Sequence, residues 1–68
     1  MPLIRVSHAA SFNQAEKDKI MRDVTVAYAA ASGCDATKVW VILEQVEKAD
    51  WATGGASIAS RAVPNPEG

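Results

Sequence analysis

Pro2 stands directly behind Met1 at the head of an apolar stretch, MPLIRVSH. Methionine is usually clipped when a small residue follows it. A clipped chain would begin with a proline carrying a free secondary amine, a group that takes up and gives back a proton. The same proline has a plain structural reading, because its missing N–H costs no ladder bond at the start of a strand. The chain holds one histidine, His8, and one cysteine, Cys34. Counting by two along a strand puts Pro2, Ile4, Val6 and His8 on one face and Leu3, Arg5 and Ser7 on the other. His8 of the same or an adjoining chain is therefore a candidate neighbour of the amine, against the alternative of a surface histidine. Trp40 and Trp51 are candidates for contacts in an oligomer, where tryptophan is enriched, and Phe12 for a core residue. Cys34 is followed by an acid, Asp35, which discourages the thiolate, so it reads as structural. A lone cysteine closes no intrachain disulfide, and no Cys/His grouping has metal-ligand spacing. Neither a metal nor a cofactor is expected.

The elements that must carry these residues follow from periodicity. Leu3–His8 reads as a strand. Asn13 with Glu16 three residues later forms a capping-box pair that opens a helix. Ile20, Val24, Ala27, Tyr28 and Ala31 form its apolar stripe, Asp18 and Arg22 an i,i+4 pair on the wet face, and Gly33 its stop. Lys38–Gln45 (KVWVILEQ) is a nearly unbroken apolar run, which predicts a strand buried on both faces. Strand, helix, strand is a βαβ unit with parallel strands and a right-handed crossover. Trp51 precedes a Gly54-Gly55 pair that turns the chain, and a hairpin or strand over Ala56–Ser60 follows and reaches toward a neighbour. The fold class is α+β, with one domain over residues 1–60 and a loosely ordered Pro/Gly-rich tail over 61–68.

Sixty-eight residues make one small domain, and a chain of this size buries only about 60% of its unfolded surface. With disulfides and metals set aside, association with other chains is the expected stabiliser. The net charge of −1 and pI near 5.6 argue against nucleic acid, which calls for a basic stripe. No run is long and apolar enough for a membrane span, and no charged-then-apolar leader is present. A cytoplasmic setting is expected.

The opening M-P-L-I, the strand–helix–strand spacing, the D-K-I-M-R-D-V helix segment, the V-x-V-I-L second strand and the W-A-T-G-G after it converge on one family. The chain resembles the small-subunit branch of the tautomerase superfamily, typified by 4-oxalocrotonate tautomerase, without a gap from Pro2 to Gly55. That resemblance implies a β-α-β subunit assembling into a hexamer, a trimer of dimers, with active sites at subunit boundaries around the freed Pro2 amine. It further implies that Pro2 is a general base or acid moving a proton between the oxygen and carbon ends of an enol or dienol. Burial in an apolar pocket suits that task, because it disfavours the ammonium form.

Two positions depart from the family pattern. Where the typical enzyme holds a dicarboxylate with two arginines, this chain has Phe12 in the loop before the helix and Trp40 early in the second strand. Trp51 keeps the aromatic position, and Thr53 stands nearest the place of the acid used by dehalogenating relatives. A charge-assisted bond to a carboxylate is worth roughly 1.5–3 kcal/mol, so the usual dicarboxylate is not the expected substrate. The remaining cations considered, Arg5 and Arg61, read as solvated. The reading is a keto–enol tautomerase of a small enol or 2-oxo acid, with Pro2 as proton carrier and His8, Phe12, Trp40 and Trp51 around the substrate. Its alternatives are a subunit of a hetero-hexamer whose arginines come from a partner chain, and a non-catalytic oligomeric homologue.

Overall fold

The structure is a computed structural model that describes residues 1–62. It runs β1 (Leu3–His8), α1 (Gln14–Ser32), a 3-10 turn (Ala36–Lys38), β2 (Trp40–Gln45), a second 3-10 turn (Lys48–Asp50), β3 (Ala52–Thr53), β4 (Ala56–Ser57) and α2 (Ile58–Ala62). β1 and β2 pair in parallel with Leu3 opposite Trp40 and His8 opposite Gln45, and α1 is the crossover between them. The fold is α+β, a βαβ unit followed by an antiparallel hairpin of β3 and β4.

The ends of α1 are those the sequence specifies. The Asn13 side chain accepts the Glu16 N–H at 2.8 Å, and the Glu16 carboxylate accepts the Asn13 N–H at 2.9 Å. At the other end Gly33 adopts φ 77° and donates its N–H to the Ala29 carbonyl at 2.9 Å. That backbone region is open to glycine without a Cβ penalty.

The helix is rolled by roughly a quarter turn from the expected stripe. Ile20, Met21, Val24, Thr25 and Ala29 are half-buried, whereas Ala27 and Ala31 are exposed. The longer Met21 side chain covers the sheet better than a pair of alanines. Thr25 fits the packed side because its hydroxyl donates to the Met21 carbonyl at 2.7 Å, which hides its polarity. The expected Asp18–Arg22 pair is replaced: Asp18 accepts from the Gln14 amide at 2.8 Å, while Asp23 pairs with Lys19 at 2.7 Å and lies 3.7 Å from Arg22.

β2 begins at Trp40 rather than Lys38 because Asp35 draws the preceding residues into a turn. Its carboxylate accepts both the N–H and the hydroxyl of Thr37, at 2.9 and 2.8 Å. Nor is β2 buried on both faces in the single chain. Val41 and Leu43 are half-buried on the side that α1 packs against. Trp40 and Ile42 remain 55% and 39% exposed on the other face, next to Leu3 at 53%. An apolar strand with one naked face calls for a covering surface from outside the chain.

Gly54 and Gly55 take φ of 62° and 87°, the pair of positive values that a tight two-residue hairpin turn requires. The strand expected to continue to Ser60 stops at Ser57. The Ser57 hydroxyl oxygen accepts the Ser60 N–H at 3.2 Å, capping the short α2. Helix α2 therefore takes in the first two residues of the expected tail, and residues 63–68 lie outside the described part.

Candidate functional site

The structure sorts the five candidate residues to two ends of the sheet. Pro2 leads β1, and its carbonyl accepts the Trp40 N–H at 3.0 Å, so the two backbones are neighbours. Their side chains are not: Trp40 stands on the open sheet face with Leu3, while the alternation places Pro2 on the helix side with Ile4 and Val6. His8 is six residues further along β1. At a rise of about 3.3–3.4 Å per residue the two lie roughly 20 Å apart. The expectation that His8 of the same chain approaches the Pro2 nitrogen is therefore corrected. A shared strand face does not bring its two ends together.

His8 instead organises the loop that follows it. Its Nδ1 lies 2.8 Å from the Ala10 carbonyl. A carbonyl only accepts, so Nδ1 carries the proton and donates. The ring packs against Phe12 with centroids 5.0 Å apart and planes tilted by 54°, a favourable edge-to-face-like geometry. Nε2 is enclosed, without a partner among the described residues. Both nitrogens are thus turned inward within the single chain, and the ring acts as a clasp that fixes Phe12.

The carboxyl ends of β1 and β2 open onto a cavity of about 300 Å³ lined by, among others, Ala9, Ser11, Gln45, Glu47, Lys48 and Ala59. The β1–α1 loop forms one wall; the 3-10 turn and α2 form the other. The Gln45 amide reaches the Ser11 hydroxyl at 3.4 Å across it. Trp51 ends the 3-10 turn, is half-buried, and accepts the Ile58 N–H at 2.7 Å, which ties α2 to that wall. His8, Phe12 and Trp51 therefore belong to the cavity end of the molecule. Sequence reasoning missed Ser11, Gln45, Glu47 and Lys48. The available signal was topological, since parallel strands present ligands at their carboxyl ends.

The other named residues are placed as follows. Arg5 is exposed on the open sheet face, opposite Ile42. Arg61 falls within α2, and Thr53 lies on β3 beside the glycine turn. Cys34 is a half-buried free thiol just past the end of α1. Among the described residues there is no group of three or more histidines, cysteines and acids able to hold a metal ion, and no helix is long and apolar enough to cross a membrane.

These features agree with known proteins. The family model described as "Tautomerase enzyme" matches residues 2–61. No curated protein matches the chain. Among solved structures, TomN, a 4-oxalocrotonate tautomerase homologue in the tomaymycin biosynthetic pathway, is 32% identical with a TM-score of 0.85, over 94% of this chain and 100% of that one. A heterohexamer 4-oxalocrotonate tautomerase from Chloroflexus aurantiacus J-10-fl is 29% identical with a TM-score of 0.80, over 87% of this chain and 95% of that one. A 4-oxalocrotonate tautomerase isozyme from Methylibium petroleiphilum is 25% identical with a TM-score of 0.81, over 88% and 97%. A family model matching residues 2–61, on a fold shared with these proteins over 87–94% of the chain, makes this chain a member of the tautomerase family.

Proposed function

We propose that this chain is a subunit of a keto–enol tautomerase that uses the Pro2 amine as its proton carrier, in a site completed by a second chain. The observation that carries this reading is the separation within one chain. Pro2 heads β1, whereas the cavity, Phe12 and Trp51 lie at its far end, roughly 20 Å away. β1 pairs with β2 on one side only, so its other edge presents unpaired backbone groups. Two copies joined antiparallel along that edge bring the Pro2 of each chain alongside residues 8 and 9 of the other, at the mouth of the cavity. Such a pairing is two-fold and self-complementary.

In the composite site the neutral amine removes a proton from the enol oxygen of a 2-oxo acid, and the resulting ammonium returns one to carbon. Phe12 and Trp51 supply apolar walls that exclude water and favour the neutral amine. With Phe12 and Trp40 at the positions where the typical enzyme carries arginines, the substrate is a small enol of a 2-oxo acid with one carboxylate and an apolar tail.

The test is the ketonisation of phenylenolpyruvate by protein from which Met1 has been removed, set beside Pro2→Ala. General acid–base catalysis contributes about 10²–10⁴, so the rate in the variant should fall at least about a hundredfold. Equal rates would overturn the reading for the lone chain.

Phe12 and Trp40 also favour a second reading, a hetero-oligomer in which another chain brings the cations; the relative from Chloroflexus aurantiacus J-10-fl is a heterohexamer. There the lone chain is inactive, and rate appears only on mixing with a second subunit that carries arginines.

A further inference from the structure

We propose that Lys48 is the carboxylate anchor of this site, and that Glu47 beside it excludes a second carboxylate. The inference rests on the tautomerase reading for its substrate and goes beyond it in naming the residues that select that substrate. The cavity of about 300 Å³ at the carboxyl ends of β1 and β2 is of a size to take a small acid. Of the described residues lining it, Lys48 is the cation and Glu47 the anion. Lys48 enters no ion pair among the described residues, where the pairs are Lys19 and Arg22 with Asp23. Its charge is available to a ligand. It is also well placed: Lys48 opens a 3-10 turn closed by the Asp50 N–H donating to the Glu47 carbonyl at 2.8 Å.

The chemistry of the two side chains gives the specificity. An ammonium binds a carboxylate as a point charge with three donors, less demanding in geometry than a guanidinium fork. One carboxylate therefore balances Lys48. A second carboxylate in the same small cavity meets Glu47 and the apolar side chains of Ala9, Val46 and Ala59, and like charges brought together are unfavourable. The arrangement selects a monoacid with an apolar tail over a dicarboxylate. Arg5 is no substitute, because it stands on the open sheet face away from the cavity.

The experiment is equilibrium binding of 3-phenylpropanoate and of its neutral amide, followed by tryptophan fluorescence on the assembled protein. Wild type should bind the acid more tightly than the amide. Lys48→Ala should weaken the acid roughly tenfold and leave the amide within about twofold, Lys48→Arg should retain the acid within about threefold, and Glu47→Gln should tighten it. Lys48 is an exposed residue on a turn, and native mass of each variant verifies that assembly is kept. Equal affinity of wild type for acid and amide, or unchanged acid affinity in Lys48→Ala, would overturn the anchor. Kinetics with phenylenolpyruvate separate this from the proline reading. A tenfold rise in KM in Lys48→Ala at constant kcat supports the anchor whatever Pro2→Ala does. A rate lost in Pro2→Ala with KM unmoved in Lys48→Ala leaves the proline mechanism standing and removes the anchor.

Discussion

A proline nitrogen bonded to Met1 is an amide with no basic lone pair, whereas the same nitrogen at a chain terminus is a secondary amine. All of the proposed chemistry turns on that one bond, and Met1 is 88% exposed and open to removal. Protein purified with Met1 retained should therefore be as slow with phenylenolpyruvate as Pro2→Ala, with intact mass and rate taken from the same sample. His8 was legible as a face-mate of Pro2, but its role was not. The periodicity of a strand says which face a residue occupies and nothing about what lies roughly 20 Å along it. The ring instead holds Ala10 and Phe12. Lys48 went unnoticed because nothing in the residues around it in sequence distinguishes it from a solvated charge; only the cavity does.

At the scale of elements, local chemistry decided most of the outcome. The capping box at Asn13 and the glycine stop at Gly33 are short-range devices and were read correctly from spacing alone. Asn13→Ala should cost about 1 kcal/mol of stability. Gly33→Ala, which forces a Cβ into left-handed backbone at φ 77°, should cost about 1–2 kcal/mol. Both are measurable by urea denaturation at fixed protein concentration. Two acids show ion-pair and capping bonds as pH dependence. The hydrogen bond from Lys19 holds the Asp23 carboxyl below its ordinary 3.8, and the Thr37 backbone N–H, then its hydroxyl, do the same for Asp35. A carboxylate favoured in the folded state contributes stability above the unfolded value, and the contribution is lost as pH falls below 3.8 through the lowered one. Melting temperature should therefore decline below that pH, and less steeply in the Asp23→Asn, Asp35→Asn double variant. Both groups are exposed, so solvent screening keeps the effect small.

Considered whole, the chain is not a self-sufficient globule. No described side chain is fully buried. Leu3, Trp40 and Ile42 form an open apolar sheet face, and Val26 is 57% exposed on the helix. An assembly that covers these surfaces is the physical complement of the fold. The purified protein should run well above monomer mass at micromolar concentration, by light scattering or native mass spectrometry. Ile42→Glu, which puts a charge in the middle of the open face, should shift it toward monomer and lower its midpoint of unfolding. A monomeric wild type would remove the support for a shared site.

The parallel βαβ order, the caps, the glycine turn and the family were legible in the sequence because each depends on residues close together along the chain or on a pattern repeated over many. The amino-terminal position of Pro2 and the expectation of partners were legible too, from position and chain size, whereas the replacement of two arginines was read only through the family resemblance. Which way α1 rolls, where β2 begins, that Ile58 starts a helix, and that the candidate residues divide between two ends of the sheet were settled only in three dimensions. Those outcomes depend on how side chains of unequal size fill one interface and on distance along a rigid strand, and neither quantity is written in local spacing.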